Sequence, residues 1–440
     1  MVVSILVLLL NMLTGVLTAR YLGPSGRGEQ TAMVLWSQFL SFSLTFGVPS
    51  ALIYNAKKYP KNEGEMYVTA LCMGFATGLI AMTAGLLVLP HWLGSFSDSV
   101  VLFSQLSMLL CPIIAVSQVN YAILQVRGEY KYYNLLRYLT PSATLLVLVL
   151  LIVFGAMNPY TTAMAYLLPS MPIYIFMTVK LLRIYKKSIK KVGQSFKRLL
   201  YYGMGSYGND LMGHFSYYID QILIAGMLSP ADLGLYAVAV SLSRMVNVFS
   251  TSTIVVLFPK ASGLPEQEAI KLAFRTFRIS TTAALAASFV LMLMAPYVFE
   301  LLYGSEFHRA LSAFRVLLLE VAIGGGTMVL AQVFMAVGKP KIVTLLQSVG
   351  LALVIPMIIL LVPRYGLLGA GIAMLSSVLL RFSFILINVK VTLKTKVPSL
   401  LITREDISWL KDAWKSYSGN RRLKPAAPFE REDSNETPVS

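Results

Sequence analysis

The chain has 440 residues, of which 56% are apolar and only 13% charged, and its formal net charge is +17. That charged share is about half the globular norm, too little to coat a water-soluble fold of this length, so a soluble globular class is excluded. The apolar residues come in runs of ~20, the length a helix needs to cross ~30 Å of hydrocarbon, and the alternating ~10-residue segments of a membrane barrel are missing.

Twelve runs are predicted as spans: 1–22, 30–55, 66–90, 100–126, 132–155, 159–181, 200–228, 232–258, 279–303, 311–337, 340–362 and 366–390. Between the first two lies the turn LGPSGRG, Leu22 to Gly28. Run two carries Gln38, Ser41 and Thr45 on one face, read as interhelical hydrogen-bond partners. Pro49, Pro112, Pro141, Pro172 and Pro356 fall inside spans and are expected to kink them. Cys72 and Cys111 sit within apolar runs, so neither a disulfide framework nor metal-ligand spacing is present, and no cofactor is expected.

Run seven is unusually polar. Asp210, His214, Tyr217 and Gln221 form one stripe, and Asn209, Gly213, Ser216 and Asp220 the adjoining one. Such a wet face is expected to line a cavity. Run eight places Arg244 near its middle, with Asn247 and Thr251 at i+3 and i+7. The segment 264–278 opens with Pro265, Glu266 and Glu268 and should be helical, in the cytoplasm. In run ten, Arg315 and Glu320 precede Gly324-Gly325-Gly326, which reads equally as a hinge or as a close-packing face. Arg381 lies mid-run in span twelve. In the tail, Thr403 and Asp406 form a capping box, and Ile407, Leu410, Trp414 and Tyr417 follow at helical spacing.

The basic charge follows topology. Thirty of the 37 Lys and Arg residues lie in the even-numbered loops and the tail, eight of them from Lys180 to Arg198 without an acid. The odd-numbered loops hold only Arg20, Arg27, Arg309 and Arg364, with Arg315 at the rim of run ten. This is the positive-inside pattern, and it puts both termini in the cytoplasm. Nucleic acid is therefore not the partner; anionic membrane lipid is the secondary use of the charge.

A repeat organises the whole. LSPADLG, from Leu228 to Gly234, repeats LGPSGRG at an offset of 206. Pro296 answers Pro90 at that same offset, and MAVGKPKIVTLL from Met335 answers LQVRGEYKYYNLL from Leu124. Two parallel six-span repeats are a transporter architecture, with the substrate site between the halves. The expected fold is all-α and polytopic, with twelve transmembrane helices as two six-helix repeats around a central cavity. Residues 1–182 would form the N-terminal bundle, 183–199 a basic cytoplasmic linker and 200–391 the C-terminal bundle. An amphipathic cytoplasmic helix over 392–417 and a disordered tail over 418–440 would follow. Run seven is preceded by Lys197 and Arg198, whose counterparts would fall before Met1, so a start several residues upstream is expected.

Four stretches carry a family resemblance: ARYLGPSGRGEQ from Ala19, DQILIAGMLSPADLGLYAVAVSL from Asp220, LLYGSEFHRALSAFRVLLL from Leu301 and YGLLGAGIAMLSS from Tyr365. Their order and spacing resemble the polysaccharide repeat-unit flippases of the Wzx type, in the multidrug/oligosaccharidyl-lipid/polysaccharide exporter superfamily, from Met1 to about Lys390. Twelve spans fit these better than the similar lipid II flippases, which usually have fourteen. The resemblance implies a multi-pass plasma-membrane protein moving a lipid-linked oligosaccharide on undecaprenyl diphosphate, with membrane lipids and glycan-assembly proteins as partners. The alternative is an ion-coupled multidrug or small-molecule antiporter of the same fold. No P-loop and no nucleophile–base pair can be read, so an enzyme is not expected.

Intramembrane ionisable residues are functional candidates by default. The substrate-binding candidates on the cavity are Arg244, Asn247, Thr251, Arg381, Tyr217 and Asn209. A guanidinium can grip a diphosphate bidentately, or Arg244 can pair internally with Asp220 or Glu320. Arg381 is a second cation candidate, read alternatively as internally paired or as snorkelling. Asp220, Asp210, His214 and Glu320 are the coupling or gating candidates, His214 being equally a packing residue. Tyr201, Tyr202, Tyr207, Tyr217 and Tyr218 could stack on sugars, Tyr201 and Tyr202 fitting an interfacial belt better.

Overall fold

In the computed structural model the described residues are 2–185, 192–261, 264–395 and 397–409, and among them there are helices and no strands. Nine of the described segments are long and apolar enough to cross a membrane. Two of these nine, Ile5–Lys58 and Lys341–Val391, run to 54 and 51 residues, about twice what one crossing needs. Each turns at a glycine of non-helical backbone, Gly23 (φ 65°, ψ −178°) and Gly366 (φ 55°, ψ −135°).

The chain folds back at both glycines. Residues 7–15 and 27–38 line the same cavity, whereas one straight helix would hold their far ends ~45 Å apart. Past Gly366, Ser377 donates to the carbonyl of Gly350 at 2.9 Å. The left-handed φ at each turn is open to glycine at little cost. Splitting the two long segments gives eleven crossings. The twelfth is Val192–Met227, which its polar stripes keep off the hydropathy criterion.

The helices are α1 (2–22), α2 (24–58), α3 (Glu63–Trp92), α4 (Asp98–Val126), α5 (Tyr130–Val153), α6 (Pro159–Tyr185), α7 (Val192–Met227), α8 (230–261), α9 (Glu266–Leu302), α10 (Leu311–Ala336), α11 (340–365) and α12 (367–391). Helix starts follow local chemistry. Asn158 makes a reciprocal capping box with Thr161 ahead of Pro159, and Ser229 caps α8 ahead of Pro230.

Several expectations need refinement. The segment 264–278 is not a separate helix; it runs into span nine as the 37-residue α9, ~55 Å long, so its polar start stands clear of the hydrocarbon. The three glycines of α10 lie in an unbroken helix and admit neighbours. Gly325 meets Ser250, Gly326 meets Thr281 and Phe277, and Gly324 meets Val378. Of hinge and close packing, the second is what is built.

Helix α2 is interrupted at 44–47, where Phe46 (φ 48°) and Gly47 (φ 69°) are both left-handed; holding a phenylalanine there costs on the order of 1–2 kcal/mol. Of the polar face of run two, only Ser41 bonds across helices, to the carbonyl of Cys111 at 3.4 Å, while Thr45 turns back to Phe42 and Gln38 faces the cavity. In the tail, Thr403 N–H and Oγ1 donate to Asp406 (2.9 and 2.8 Å) and Asp406 N–H returns to Thr403 (3.4 Å), the expected capping box. Residues 392–403 are not helical where described, and the helix starts at Arg404. The remainder of the tail helix, the tail beyond 418, and 186–191 of the basic linker lie outside the described residues.

The apolar core has a shape that matters for function. Towards the external end one cluster unites both halves, from Ala19 and Trp36 through Ile224 and Tyr236 to Phe314 and Ala370. Towards the cytoplasmic end it splits. One cluster, around Tyr67 and Leu52, joins α2, α3, α4, α5 and α6 and takes in Leu199 of α7; another, around Phe274 and Phe334, joins α8, α9, α10, α11 and α12.

Candidate functional site

The repeated turns make the external closure. Gly28 of α2 lies against Pro230 and Gly234 of α8, and Gly234 lies against Pro24 and Gly28. A Cβ built on Gly28 would come 3.0 Å from the Gly234 nitrogen, and one on Gly234 would come 2.8 Å from the Gly28 nitrogen. The carbonyls of Pro230 and Pro24 would lie closer still. Since 24/230 and 28/234 are pairs at the repeat offset, this contact is reciprocal, as expected about a two-fold axis between the halves. Side chains flank it: Arg309 pairs with Asp232 at 3.6 Å, and Arg20 donates to the carbonyl of Leu301.

Beneath this closure lies a cavity of about 500 Å³ with walls from both halves. From the N-terminal six helices come Asn11, Arg27, Gln30, Gln38 and Tyr166. From the C-terminal six come Tyr217, Gln221 and Arg244. Arg244 sits where the α-helical start of α8, Pro230–Ser243, gives way to a 3₁₀ turn, Arg244–Asn247. Its guanidinium lies 4.2 Å over the Tyr217 ring, and its Nη2 donates to the Tyr217 carbonyl at 2.8 Å and reaches Asp220 Oδ2 at 3.4 Å. Asp220, whose side chain is 1% exposed, also accepts from Tyr236 Oη (3.2 Å) and from the Gln221 N–H (2.9 Å). A buried carboxylate needs such company. Arg244 thus lines the cavity and also pairs internally with Asp220.

The other candidates are dispersed. The 3₁₀ turn breaks the shared face expected of Arg244, Asn247 and Thr251. Asn247 meets the α8–α10 contact near Gly325, and Thr251 returns its hydroxyl to its own helix at Asn247 O, 2.9 Å away. Arg381 packs on Gly350 of α11, with its Nε buried and unpaired. Glu320 lies within electrostatic reach of both Arg381 and Arg244, and its carboxylate borders Gly324.

Asp210 and His214 face α2 rather than the cavity. Ser50 Oγ donates to Asp210 Oδ2 at 2.8 Å, and the His214 ring lies 5.7 Å from Phe42. They belong to a seam in which Phe39 meets Phe215 (5.1 Å), Phe46 meets Tyr207 (5.1 Å) and Tyr54 stacks on Tyr202 (4.1 Å). Two of the tyrosines considered for sugar stacking, Tyr202 and Tyr207, are therefore engaged between helices, while Tyr201 is 88% exposed, as an interfacial ring would be. The side chain of Asn209 lies outside the described residues.

Sequence reasoning placed Arg27 in an external loop. It lines the cavity instead. Its Nη1 donates to Gln30 Oε1 at 2.6 Å, its guanidinium stands 5.9 Å from the Tyr166 ring, and its Nε is buried without a partner. No carboxylate lies within 4 Å of it among the described residues. The signal was Pro24: a proline at the first helical position starts α2 there, which puts Arg27 inside the helix.

Two six-helix halves that meet over a cavity have the architecture of a multi-pass membrane transporter. The chain belongs to the family described as "Polysaccharide biosynthesis protein", whose model matches residues 17–312. It is 20% identical over 378 residues to a "Putative O-antigen transporter" of Shigella flexneri, covering 81% of this chain and 87% of that one. Its fold is similar to that of the lipid II flippase MurJ in an inward closed conformation, with TM-score 0.76, 12% identity and 96% and 93% of the two chains covered. It is also similar to an inward-facing multidrug resistance MATE family transporter of the MOP superfamily, with TM-score 0.70, 16% identity and 88% and 95% covered. The chain is thus a multi-pass helical membrane protein of the polysaccharide biosynthesis family, with a fold similar to those of a lipid II flippase and a multidrug transporter.

Proposed function

We propose that the protein is a flippase. Its cargo is an oligosaccharide repeat unit linked to undecaprenyl diphosphate, carried across the plasma membrane for surface polysaccharide biosynthesis by alternating access of the two halves. The polyprenyl tail can stay in lipid. The diphosphate and sugars cannot, because each unsatisfied polar group in hydrocarbon costs several kcal/mol.

The observation that carries this reading is the charge of the cavity wall. Two guanidiniums, Arg27 and Arg244, line the cavity; Asp220 sits behind Arg244, and Glu320 lies in reach of both Arg244 and the further guanidinium of Arg381. The surplus is positive and rests on Arg27. A cationic drug would be repelled; a diphosphate would be attracted. Arg244 is free to exchange partners, because Asp220 keeps two donors, Tyr236 and the Gln221 N–H, when the guanidinium turns to an anion.

The test replaces Arg244 by Ala and by Lys in cells deleted for the native copy, at matched protein levels. Cytoplasm-facing lipid-linked units should accumulate and surface glycan should fall in both variants, because Lys keeps the charge but loses the fork that binds two phosphate oxygens. Normal glycan and unchanged intermediates in the deletion itself would sink the flippase reading and move the work to drug-export assays.

A further inference from the structure

A second hollow lies inside the N-terminal six helices, towards the cytoplasmic side, with a volume of about 290 Å³. Helix α4 contributes Gln118, Tyr121 and Gln125, at i, i+3 and i+7 on one face. Helix α5 contributes Tyr133 and Arg137, one turn apart, and α2 contributes Ser50 just past its break.

The chemistry of this wall is uncommitted. Neither the Gln118 nor the Gln125 amide is hydrogen bonded among the described residues, and both are half-buried. Arg137 has no carboxylate within 4 Å among the described residues; its guanidinium stands 5.8 Å from the Tyr133 ring. Tyr121 and Tyr133 meet edge to face at 5.5 Å, which fixes the two rings as a platform. Two free amides, a free guanidinium and an aromatic pair, half-buried towards the cytoplasmic ends of α4 and α5, are available to a ligand. Amides that both donate and accept, beside aromatic faces, suit vicinal hydroxyls. The guanidinium suits an acidic substituent.

The placement agrees with this chemistry. Ser50 and Ile53 also line a neighbouring hollow of about 650 Å³ bounded by Tyr54, Lys57, Lys58 and Tyr202, at the basic cytoplasmic end. Gln38 is the last α2 residue on the main cavity, and Ser50 comes twelve residues later, past the break at 44–47, so the two hollows are lined by different stretches of α2.

We propose that Gln118, Gln125 and Arg137, with the Tyr121–Tyr133 platform, form a saccharide subsite that docks the sugar end of the lipid-linked cargo from the cytoplasmic side, remote from the Arg27–Arg244 cavity. The proposal rests on the flippase reading and deepens it.

The test uses purified full-length protein in lipid nanodiscs and two probes: undecaprenyl diphosphate without sugar, and undecaprenyl-diphosphate-linked repeat units extracted from cells lacking the protein. The wild type should bind the glycosylated probe about tenfold more tightly than the bare one, the gain of a few net hydrogen bonds. Gln118→Ala/Gln125→Ala and Arg137→Gln should each lose most of that increment and keep the bare-lipid affinity, which also certifies the fold of the variants. Arg244→Ala should weaken both probes alike. Retention of the full increment by both the double and the Arg137 variant overturns the subsite and leaves the flippase reading standing. Binding of neither probe by the wild type removes the flippase reading and the subsite with it.

Discussion

Replacing Gly234 by Ala should open the external end. The added methyl would lie 2.8 Å from the Gly28 nitrogen and nearer still to the Pro24 carbonyl, both backbone atoms that cannot rotate away. Overpacking of this kind costs ~1–3 kcal/mol. The contact exists only while the two halves touch, so the cost falls on the closed state alone and shifts the equilibrium by about fivefold to a hundredfold. Helix propensity acts the other way, Ala gaining ~1 kcal/mol over Gly, so a loss of closure cannot be blamed on a weaker helix.

The assay is labelling by a membrane-impermeant maleimide added outside cells, on a Ser241→Cys reporter in a Cys72→Ser/Cys111→Ser background. Ser241 lines the cavity beneath the seal and is solvent-facing. Gly234→Ala should raise the labelling rate, and Gly28→Ala should match it because the contact is reciprocal. Gly205→Ala, where a Cβ would meet nothing within 4 Å, should leave it unchanged. Unchanged labelling in both seal variants, with normal expression and thermal stability, would refute the closure.

Two further outcomes follow from packing. Asp220→Ala removes the counter-charge of Arg244 and the acceptor of Tyr236, so it should cost about 3–5 kcal/mol in thermal unfolding; Asp220→Asn with Arg244→Gln should recover more than half of that loss, and a strictly additive double variant would argue against the pair. On the cytoplasmic side, Arg127 donates to Glu129 at 2.6 Å and to Tyr185 at 3.0 Å, Tyr185 in turn donates to Glu63, and hydrogen bonding to Tyr185 leads the contributions that raise the pKa of the Arg127 guanidinium. Arg127→Met should therefore cost about 1–3 kcal/mol and lower the melting temperature equally at pH 6 and pH 9, whereas a loss confined to one pH would show that a neighbour's titration dominates.

Fold and site were legible in the sequence to different depths, for physical reasons. Span count, helical class and repeat were readable because hydrocarbon thickness and the positive-inside bias write themselves into run length and loop charge. The seal was readable only as a repeated string: that Gly28 and Gly234 touch each other depends on how the halves dock. The polar stripes of α7 announced a wet face but could not say that one stripe divides along its length, Asp210 and His214 meeting α2 and Tyr217 and Gln221 the cavity, and so Asp210 and Tyr217 looked alike. The face shared by Arg244, Asn247 and Thr251 failed because a 3₁₀ turn changes the angular spacing at that point. Arg27 was hidden by a loop boundary placed a turn late, although Pro24 marked where the helix begins.

The two ends of the molecule are closed by different chemistry, and this difference bears on the order of events in transport. The external seal is backbone against backbone, with no side chain able to give way, so it holds or parts as a unit. The cytoplasmic seam between α2 and α7 has one backbone approach, Gly47 against Gly203, and beyond it a row of ring contacts and one Ser50–Asp210 hydrogen bond. Each of these side-chain contacts is worth ~0.5–1.5 kcal/mol, and each can yield separately. Gly203 approaches the Phe46 carbonyl beside the α2 break, where two consecutive left-handed residues already strain the helix. A polar head arriving from the basic side can thus work its way along the seam one contact at a time while the far end stays shut. On the proposed function, an anion reaching Arg27 and Arg244 draws on both halves directly beneath the seal, the one place where a single ligand can bias the all-or-none contact above it.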